Sequence, residues 1–324
     1  MDILLIGGPK FVGRGLIDAA LAAGHTLTMF NRGQTNPDLY PQVEKLRGDR
    51  DGQLDALKGR TWDAVVDTSG YLPRVVRQTA DLLADAVGRY VFISSISVYE
   101  DPAGAAEDAP LIALEDETTE DIASAYGGLK VLCERAVQEV FGERATIIRP
   151  GIIVGPHDPT DRFTYWPVRV EQGGDVLAPA SPDYPVQVID VRDLAAWTVK
   201  LIEVDTGGVF NATGPEQPVS FGTLLETCRI VTGSDARFVW AGADFLREQA
   251  VSPWSDLPLW LPDTLWGTAD VSRAQAAGLR YRPLEQIIHD TLNWVHHERG
   301  PEPLKAGLKP QREADLLAAW QADA

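Results

Sequence analysis

Short apolar runs alternate with amphipathic stretches through the first half of the chain. The runs at 2–6, 26–30, 63–67, 90–95 and 145–149 have strand length, and a shorter strand is predicted at 43–47. Helices are predicted over 12–23 and 124–140, where apolar positions recur at helical spacing. Ala64-Val65-Val66 and Val91-Phe92-Ile93 are apolar at every position, the pattern of a strand covered on both faces. Strands of that kind alternating with helices predict an α/β fold built on a doubly wound parallel sheet.

Beyond Pro156 the regular alternation gives way to stretches rich in Pro, Trp and Asp, of which Ser252-Pro253-Trp254-Ser255-Asp256-Leu257-Pro258-Leu259-Trp260-Leu261-Pro262 is the clearest. This composition predicts a smaller lobe covering a ligand. The stretch 186–190, a helix from Asp193 and the run Gly208-Val209-Phe210-Asn211 are expected to return to the sheet, which makes the smaller lobe discontinuous. The expected division is 1–156 plus 186–215 for the sheet domain, 157–185 plus 216–310 for the substrate lobe, and 311–324 for a C-terminal helix or tail. Trp254, Trp260 and Trp266 are expected to pack in a core or lid rather than hold a ligand.

With 324 residues, 44% of them hydrophobic, the chain can bury a large core. It carries 29 Lys and Arg against 47 Asp and Glu, and a net charge of -18 repels phosphate backbones and anionic lipid, which argues against nucleic acid as a partner. The start is too short and too acidic for a signal peptide, and no run reaches the roughly 18 apolar residues of a membrane span. The expectation is a cytoplasmic protein without a membrane partner. Cys133 and Cys228 stand far apart, outside any metal-ligand or disulfide spacing. The segment 100–121 holds nine acidic residues and no Lys or Arg; it reads as a solvated loop, and its carboxylates lack the fixed spacing of a cation loop, so no metal is assigned. His289, His296 and His297 read as surface residues near a helix end. The sequon Asn211-Ala212-Thr213 is read as chance.

The candidate chemistry lies at strand ends. Gly7-Gly8-Pro9-Lys10-Phe11-Val12-Gly13 is a glycine-rich turn between the first strand and the first helix, where backbone can approach a pyrophosphate and the helix N-terminus faces its charge. Gly7, Lys10, Phe11, Val12 and Gly13 are therefore candidate dinucleotide contacts. The second strand ends in Asn31-Arg32, without the acidic residue that would hold ribose hydroxyls, and a guanidinium there suits a 2′-phosphate. Arg32 favours NADP, with NAD as the alternative. Asp49, Thr68 and Ser69 sit after two later strands, and Asp49 is a candidate adenine contact.

Tyr126 and Lys130 are four apart on a predicted helix and share a face. An adjacent ammonium and an oxidised nicotinamide would both favour the phenolate, making Tyr126 a proton donor and acceptor. Ser95, at the end of the strand through Ser94, would fix a substrate oxygen by hydrogen bonding.

The ordered set Gly7 to Gly13, Ser94-Ser95-Ile96-Ser97-Val98-Tyr99, Tyr126-Gly127-Gly128-Leu129-Lys130, Arg149-Pro150-Gly151-Ile152-Ile153-Val154-Gly155-Pro156 and Val191-Arg192-Asp193-Leu194-Ala195 resembles the extended branch of the short-chain dehydrogenase/reductase superfamily, with its epimerases and dehydratases. The resemblance covers roughly residues 1 to 300 and implies a Rossmann domain. It implies Ser95, Tyr126 and Lys130 as the catalytic triad, with Lys130 also on the nicotinamide ribose. It further implies Ser94, Pro150 and Ile153 near the cofactor, and a homodimer through helices flanking the Tyr helix. The chain departs from the pattern at Lys10, which replaces the middle glycine as in an atypical subgroup that includes plant chloroplast RNA-associated proteins. It departs again at Ile152 and at Val186-Gln187, where nucleotide-sugar enzymes carry Asn and Arg-Asp for the substrate phosphates. The expected activity is an NAD(P)-dependent oxidoreductase or epimerase acting on a small molecule, with reduction of a carbonyl favoured. A nucleotide-sugar epimerase or dehydratase is the alternative, and a non-catalytic NADP-sensing or RNA-associated module is the competitor from another class.

Overall fold

The computed structural model describes residues 1–215, 217–262 and 266–323, with the side chains of Trp266 and Asp323 outside the description. The apolar runs become β1 (Asp2–Ile6), β2 (Thr26–Asn31), β3 (Glu44–Arg47), β4 (Trp62–Asp67), β5 (Val87–Ile93) and β6 (Ala145–Pro150). With the strand Gly208–Ala212 they form a sheet of seven in the order β3, β2, β1, β4, β5, β6, Gly208–Ala212. Every pairing in it is parallel. Strand order reverses between β1 and β4, the place where such sheets open a ligand crevice at their carboxyl ends. The register lines up Phe30, Ile6, Asp67 and Phe92 in one row across β2, β1, β4 and β5. Gly7, Asn31 and Thr68 thus leave the sheet at the same level as the end of β5.

Three helices frame that edge: α1 (Phe11–Ala22), α2 (Pro73–Leu83) and α3 (Ile122–Phe141). Pro73 opens α2, where its fixed φ suits a first turn and its missing N–H costs nothing. Leu4, Val65, Tyr90 and Phe92 meet Val76, Ala80, Cys133 and Val137 in one buried cluster. Burial of Ile3–Ile6, Ala64–Asp67 and Arg89–Ile93 at every successive position is why those runs show no alternation.

The chain divides into two compact units: Met1–Gly151, Val191–Thr213 and Ala269–Arg280 make the first, and Ile152–Asp190, Gly214–Thr268 and Tyr281–Ala324 the second. The stretch Ala269–Arg280, expected in the smaller lobe, belongs to the first unit: Asn211 Nδ2 donates to the Asp270 carbonyl (2.9 Å) and Trp197 Nε1 to that of Ala277 (3.1 Å).

The second unit has its own small sheets, pairing Ile152–Val154 with Val188–Asp190, Pro185–Val186 with Val219–Ser220, and Asp175–Pro179 with Arg237–Ala241. The 186–190 stretch therefore does not return to the large sheet. An apolar run marks a buried strand without naming its partner, and here the partner is local. Phe163, Trp166, Phe221 and Trp260 are fully buried in this unit's core. The final helix, Pro310–Asp323, docks on that core through the fully buried Leu316 and through Glu313, whose carboxylate receives Arg169 Nε at 2.5 Å. Among the described residues no helix is long and apolar enough to cross a membrane, and no group of His, Cys, Asp or Glu has the arrangement of a metal site. Both cysteines are free and buried.

Candidate active site

The glycine-rich turn is tight where a ligand backbone would lie. Gly7 has φ +140°, and a Cβ there would collide with the Thr68 hydroxyl; a Cβ on Gly13 would collide with the Gly8 carbonyl. Asn31 Nδ2 donates to the Gly7 carbonyl (3.0 Å) while its Oδ1 receives the Gly33 amide (2.8 Å), so the polar side chain at the end of β2 braces the turn. Thr68 donates from both N–H and hydroxyl to the Ile6 carbonyl, supporting the turn from β4. The helix that follows has no side-chain cap and no acidic residue in its first turn. Its free amides and dipole fit a pyrophosphate. The Lys10 side chain is exposed, and Phe11 (φ +30°) and Val12 are half-buried in the first turn.

Beside this turn lies a pocket of about 380 Å³ whose walls include Gly7, Asn31, Arg32, Asp49, Ser69 and Tyr71. Arg32 stands 61% exposed with its guanidinium 3.7 Å from the Asp49 carboxylate. Residues that no motif pointed to complete the wall, among them Thr35, Arg50, Leu72 and Ile122. Arg50 is the most consequential. Its Nη1 and Nη2 donate to the two oxygens of Asp67 at 2.7 and 2.8 Å, and Tyr90 donates to the same carboxylate at 2.8 Å. Burial alone would raise the fully buried Asp67 carboxyl, yet the Arg50 charge holds it below the usual carboxylate range. Gly48-Asp49 marked that loop in the sequence. The pairing itself joins positions 50 and 67 and has no local signature.

On the other side of β4, Ser95 and Tyr126 are neighbours, and the Ser95 hydroxyl is one of the groups that act on the Tyr126 phenol. Ser95 Oγ also donates to Ser97 Oγ at 3.0 Å. The approach of α3 depends on Gly127 and Gly128, where a Cβ would collide with the Ser97 carbonyl and with Leu114. Asp121 caps α3 through the amides of Ala123 and Ser124, and the helix kinks at Ala125 just before Tyr126. Lys130 is buried, its Nζ donating to the carbonyls of Gly70 (2.9 Å) and Ile93 (2.7 Å) and standing 4.2 Å from the Phe92 ring centre. Burial pushes its amine down to about 8.

The electrostatics differ from the expectation at Tyr126. Burial raises its phenol above the ordinary value, Tyr71 adds to the rise, and the neighbouring Ser95 hydroxyl opposes it. The Lys130 ammonium is drawn to two backbone carbonyls, so helical spacing alone does not deliver a phenolate. In this state the Tyr126 phenol keeps its proton at neutral pH.

The Ser94 side chain turns into a buried network. Its hydroxyl donates to Glu134 Oε1 at 2.5 Å, and Glu134 is paired with Arg149 (2.6 Å), both buried. Arg149 continues to the Tyr99 hydroxyl (2.9 Å), which donates to Asn211 Oδ1 (2.6 Å), while the Asn211 amide donates to Glu107 (2.9 Å). The acidic 100–121 segment is thus not solvated throughout, since Glu107 is buried and ties it to the sheet. Asn211 is fully buried, in accord with reading its sequon as chance. Pro150 ends β6, and Ile153 lies in the second unit's strand Ile152–Val154. In the 157–166 stretch of that unit, Asp158 and Asp161 are buried and Arg162 lies 4.7 Å from the Trp254 ring centre.

Comparison with known proteins gives the family and the fold. Residues 3–213 match the profile of the NAD dependent epimerase/dehydratase family. The chain is 27% identical over 246 residues to the chloroplast stem-loop binding protein of 41 kDa b from Arabidopsis thaliana, a match covering 70% of this chain and 62% of that relative's length. Among solved structures, UDP-N-acetylglucosamine 4-epimerase from Bacillus cereus superposes with a TM-score of 0.70 at 14% identity, over 94% of this chain and 99% of the other. UDP-glucuronic acid 4-epimerase from Bacillus cereus in complex with NAD gives 0.65 at 17% identity, over 91% and 96%.

Proposed function

The chain belongs to the NAD dependent epimerase/dehydratase family, and we propose that it moves hydride and proton at a hydroxyl- or carbonyl-bearing carbon of a small, sugar-like substrate. The observation that carries this reading is the close approach of α3 at Gly127 and Gly128 to the segment after β5, which sets Tyr126 beside Ser95 with Lys130 buried one helical turn behind, its Nζ on the Gly70 and Ile93 carbonyls. A bound nicotinamide supplies the hydride acceptor and donor. Ser95 holds the substrate oxygen by hydrogen bonding, and Tyr126 passes its proton to that oxygen or takes one from it. Lys130, with two of its N–H groups on the Gly70 and Ile93 carbonyls, would offer the third to the nicotinamide ribose. Gly7, Gly13 and the uncapped start of α1 would receive the pyrophosphate, with Asn31, Thr68 and Ser69 shaping the crevice.

The family and the folds it resembles support an epimerase or dehydratase, in which the hydride returns to the substrate, ahead of the simple reductase favoured from sequence. Ile152 and the buried Val186 and Gln187 offer no cation for a nucleoside diphosphate, which supports a substrate without that group. We place NADP first because Arg32 stands exposed at the end of β2 and Asn31 is committed to bracing the turn. The NAD bound in the Bacillus cereus epimerase keeps the unphosphorylated form as the alternative. The expected homodimer has less support: the outer sides of α2 and α3 carry ion pairs within the chain, Arg77 with Glu139, and Arg74 and Arg135 with Glu120 and Glu117 before α3.

Fluorescence titration with NADPH, NADH, NADP and NAD tests the cofactor. Tighter binding of the 2′-phosphorylated forms by about tenfold, lost in Arg32→Ala, is expected; equal or tighter binding of NAD overturns the choice. Tyr126→Phe is expected to lower turnover by about 10²–10⁴-fold with dinucleotide affinity kept. Unchanged turnover rejects the role of Tyr126. The name of the chloroplast relative raises stem-loop RNA binding as a second reading, which the net charge of -18 opposes. Salt-sensitive binding of a stem-loop RNA at physiological ionic strength would establish it.

A further inference from the structure

Arg50 is a pocket-wall residue whose guanidinium is turned away from solvent, with only 12% of its side chain exposed. Besides the two bonds to Asp67 it reaches Ser69 Oγ and Thr79 Oγ1, each at 3.3 Å. Asp67 in turn accepts the Ser69 amide at 3.0 Å. The turn 68–71 that follows has two sides. Ser69 and Tyr71 line the pocket, and the Gly70 carbonyl receives Lys130. A Cβ on Gly70 would collide with Phe92 and crowd Val76, so the turn sits directly on the core and moves only if its anchor moves.

We propose that Arg50 is a positioning residue: its two-pronged pairing with Asp67 holds the 68–71 turn, and through that turn it sets both the wall of the dinucleotide pocket and the place of Lys130. The proposal rests on the functional reading above only for the identity of the pocket's ligand. A buried ion pair is costly to assemble and can often be replaced by uncharged groups without loss of stability. Its position between pocket and lysine gives it a task beyond stability. The groups acting on the Lys130 amine are Asp67 and Arg50 from the strut, Cys133 and Glu134 from α3 itself, and the rings of Phe92 and Tyr71. Asp67 raises the lysine's affinity for its proton and Arg50 lowers it.

The test uses the full chain with Arg50→Met, Asp67→Asn and the two combined. In the protein without dinucleotide, hydrogen exchange at the amides of Ser69, Gly70 and Tyr71 is expected to quicken by about tenfold in all three. Exchange at the wild-type rate overturns the proposal. NADPH titrated from neutral to alkaline pH is expected to show the Lys130 limb moving up in Arg50→Met and down in Asp67→Asn. A shift of the same sign in both, or none, means a merely structural pair and overturns it as well. The combined variant leaves no unpaired charge, and is expected to melt near the wild type while binding NADPH about tenfold more weakly; wild-type affinity counts against the proposal. If the wild type binds no dinucleotide at any pH, the functional reading fails, and the exchange rates still decide the role of Arg50.

Discussion

Two guanidinium–carboxylate pairs are buried in the first unit, Arg50 with Asp67 and Arg149 with Glu134, and they touch different things. The first ends at the pocket wall and at the turn that holds Lys130. The second receives the Ser94 hydroxyl and leads by way of Tyr99 and Asn211 to the buried Glu107, whose other oxygen lies 3.5 Å from Arg273, and no member of it lines the pocket. The same chemistry thus serves two ends. Where every partner of an ion pair is internal, its loss is felt as stability; where one neighbour faces a ligand, its loss is felt as affinity and as a displaced proton site.

The largest effect should follow Arg149→Met, which leaves Glu134 buried without its partner and should cost about 3–5 kcal/mol of unfolding free energy. Denaturant titration measures the loss, and NADPH affinity per folded molecule should stay at the wild-type value. A comparable loss of affinity would erase the contrast between the pairs. Gly127→Ala comes next, because the new methyl meets the Ser97 carbonyl and must push α3 away from Ser95. About 1–3 kcal/mol of destabilisation is expected, with turnover falling further than NADPH affinity; the reverse ranking would place the strain at the pocket instead. The smallest effect is acid sensitivity. Since the Asp67 carboxyl is held below its unfolded value, it adds stability above the ordinary carboxylate range near ~4 and loses it as pH falls through the folded value. Urea midpoints should therefore drop less steeply with acid in Arg50→Met/Asp67→Asn than in the wild type.

The sheet was legible because fully covered strands announce themselves by uninterrupted apolar runs, and because Gly7 and Gly13 allow a turn that a Cβ would block. Ser95 and Tyr126 could be picked out from their motifs, and the Ser95 hydroxyl is among the groups that act on the Tyr126 phenol. Three features were not legible. The Arg50–Asp67 pairing spans a loop and a strand, and neither residue signals the other. Ser94 and Ser95 are identical in sequence, while just past β5 one hydroxyl goes to Glu134 and the other to Ser97. The state of Tyr126 depends on where the Lys130 ammonium goes, and two backbone carbonyls that no spacing rule includes compete for it. In the second unit the strands are two to five residues long and pair locally, too short for periodicity to assign their partners.

The two buried thiols have a practical consequence. Burial pushes the Cys133 thiol up to about 12, and Cys228 is raised too, so neither offers a thiolate at neutral pH. Maleimide and iodoacetamide reagents should leave the native chain untouched. A single cysteine introduced on the surface would then be the only fast-reacting group, and fluorophores or spin labels could be placed at chosen points on each unit without first removing a native residue.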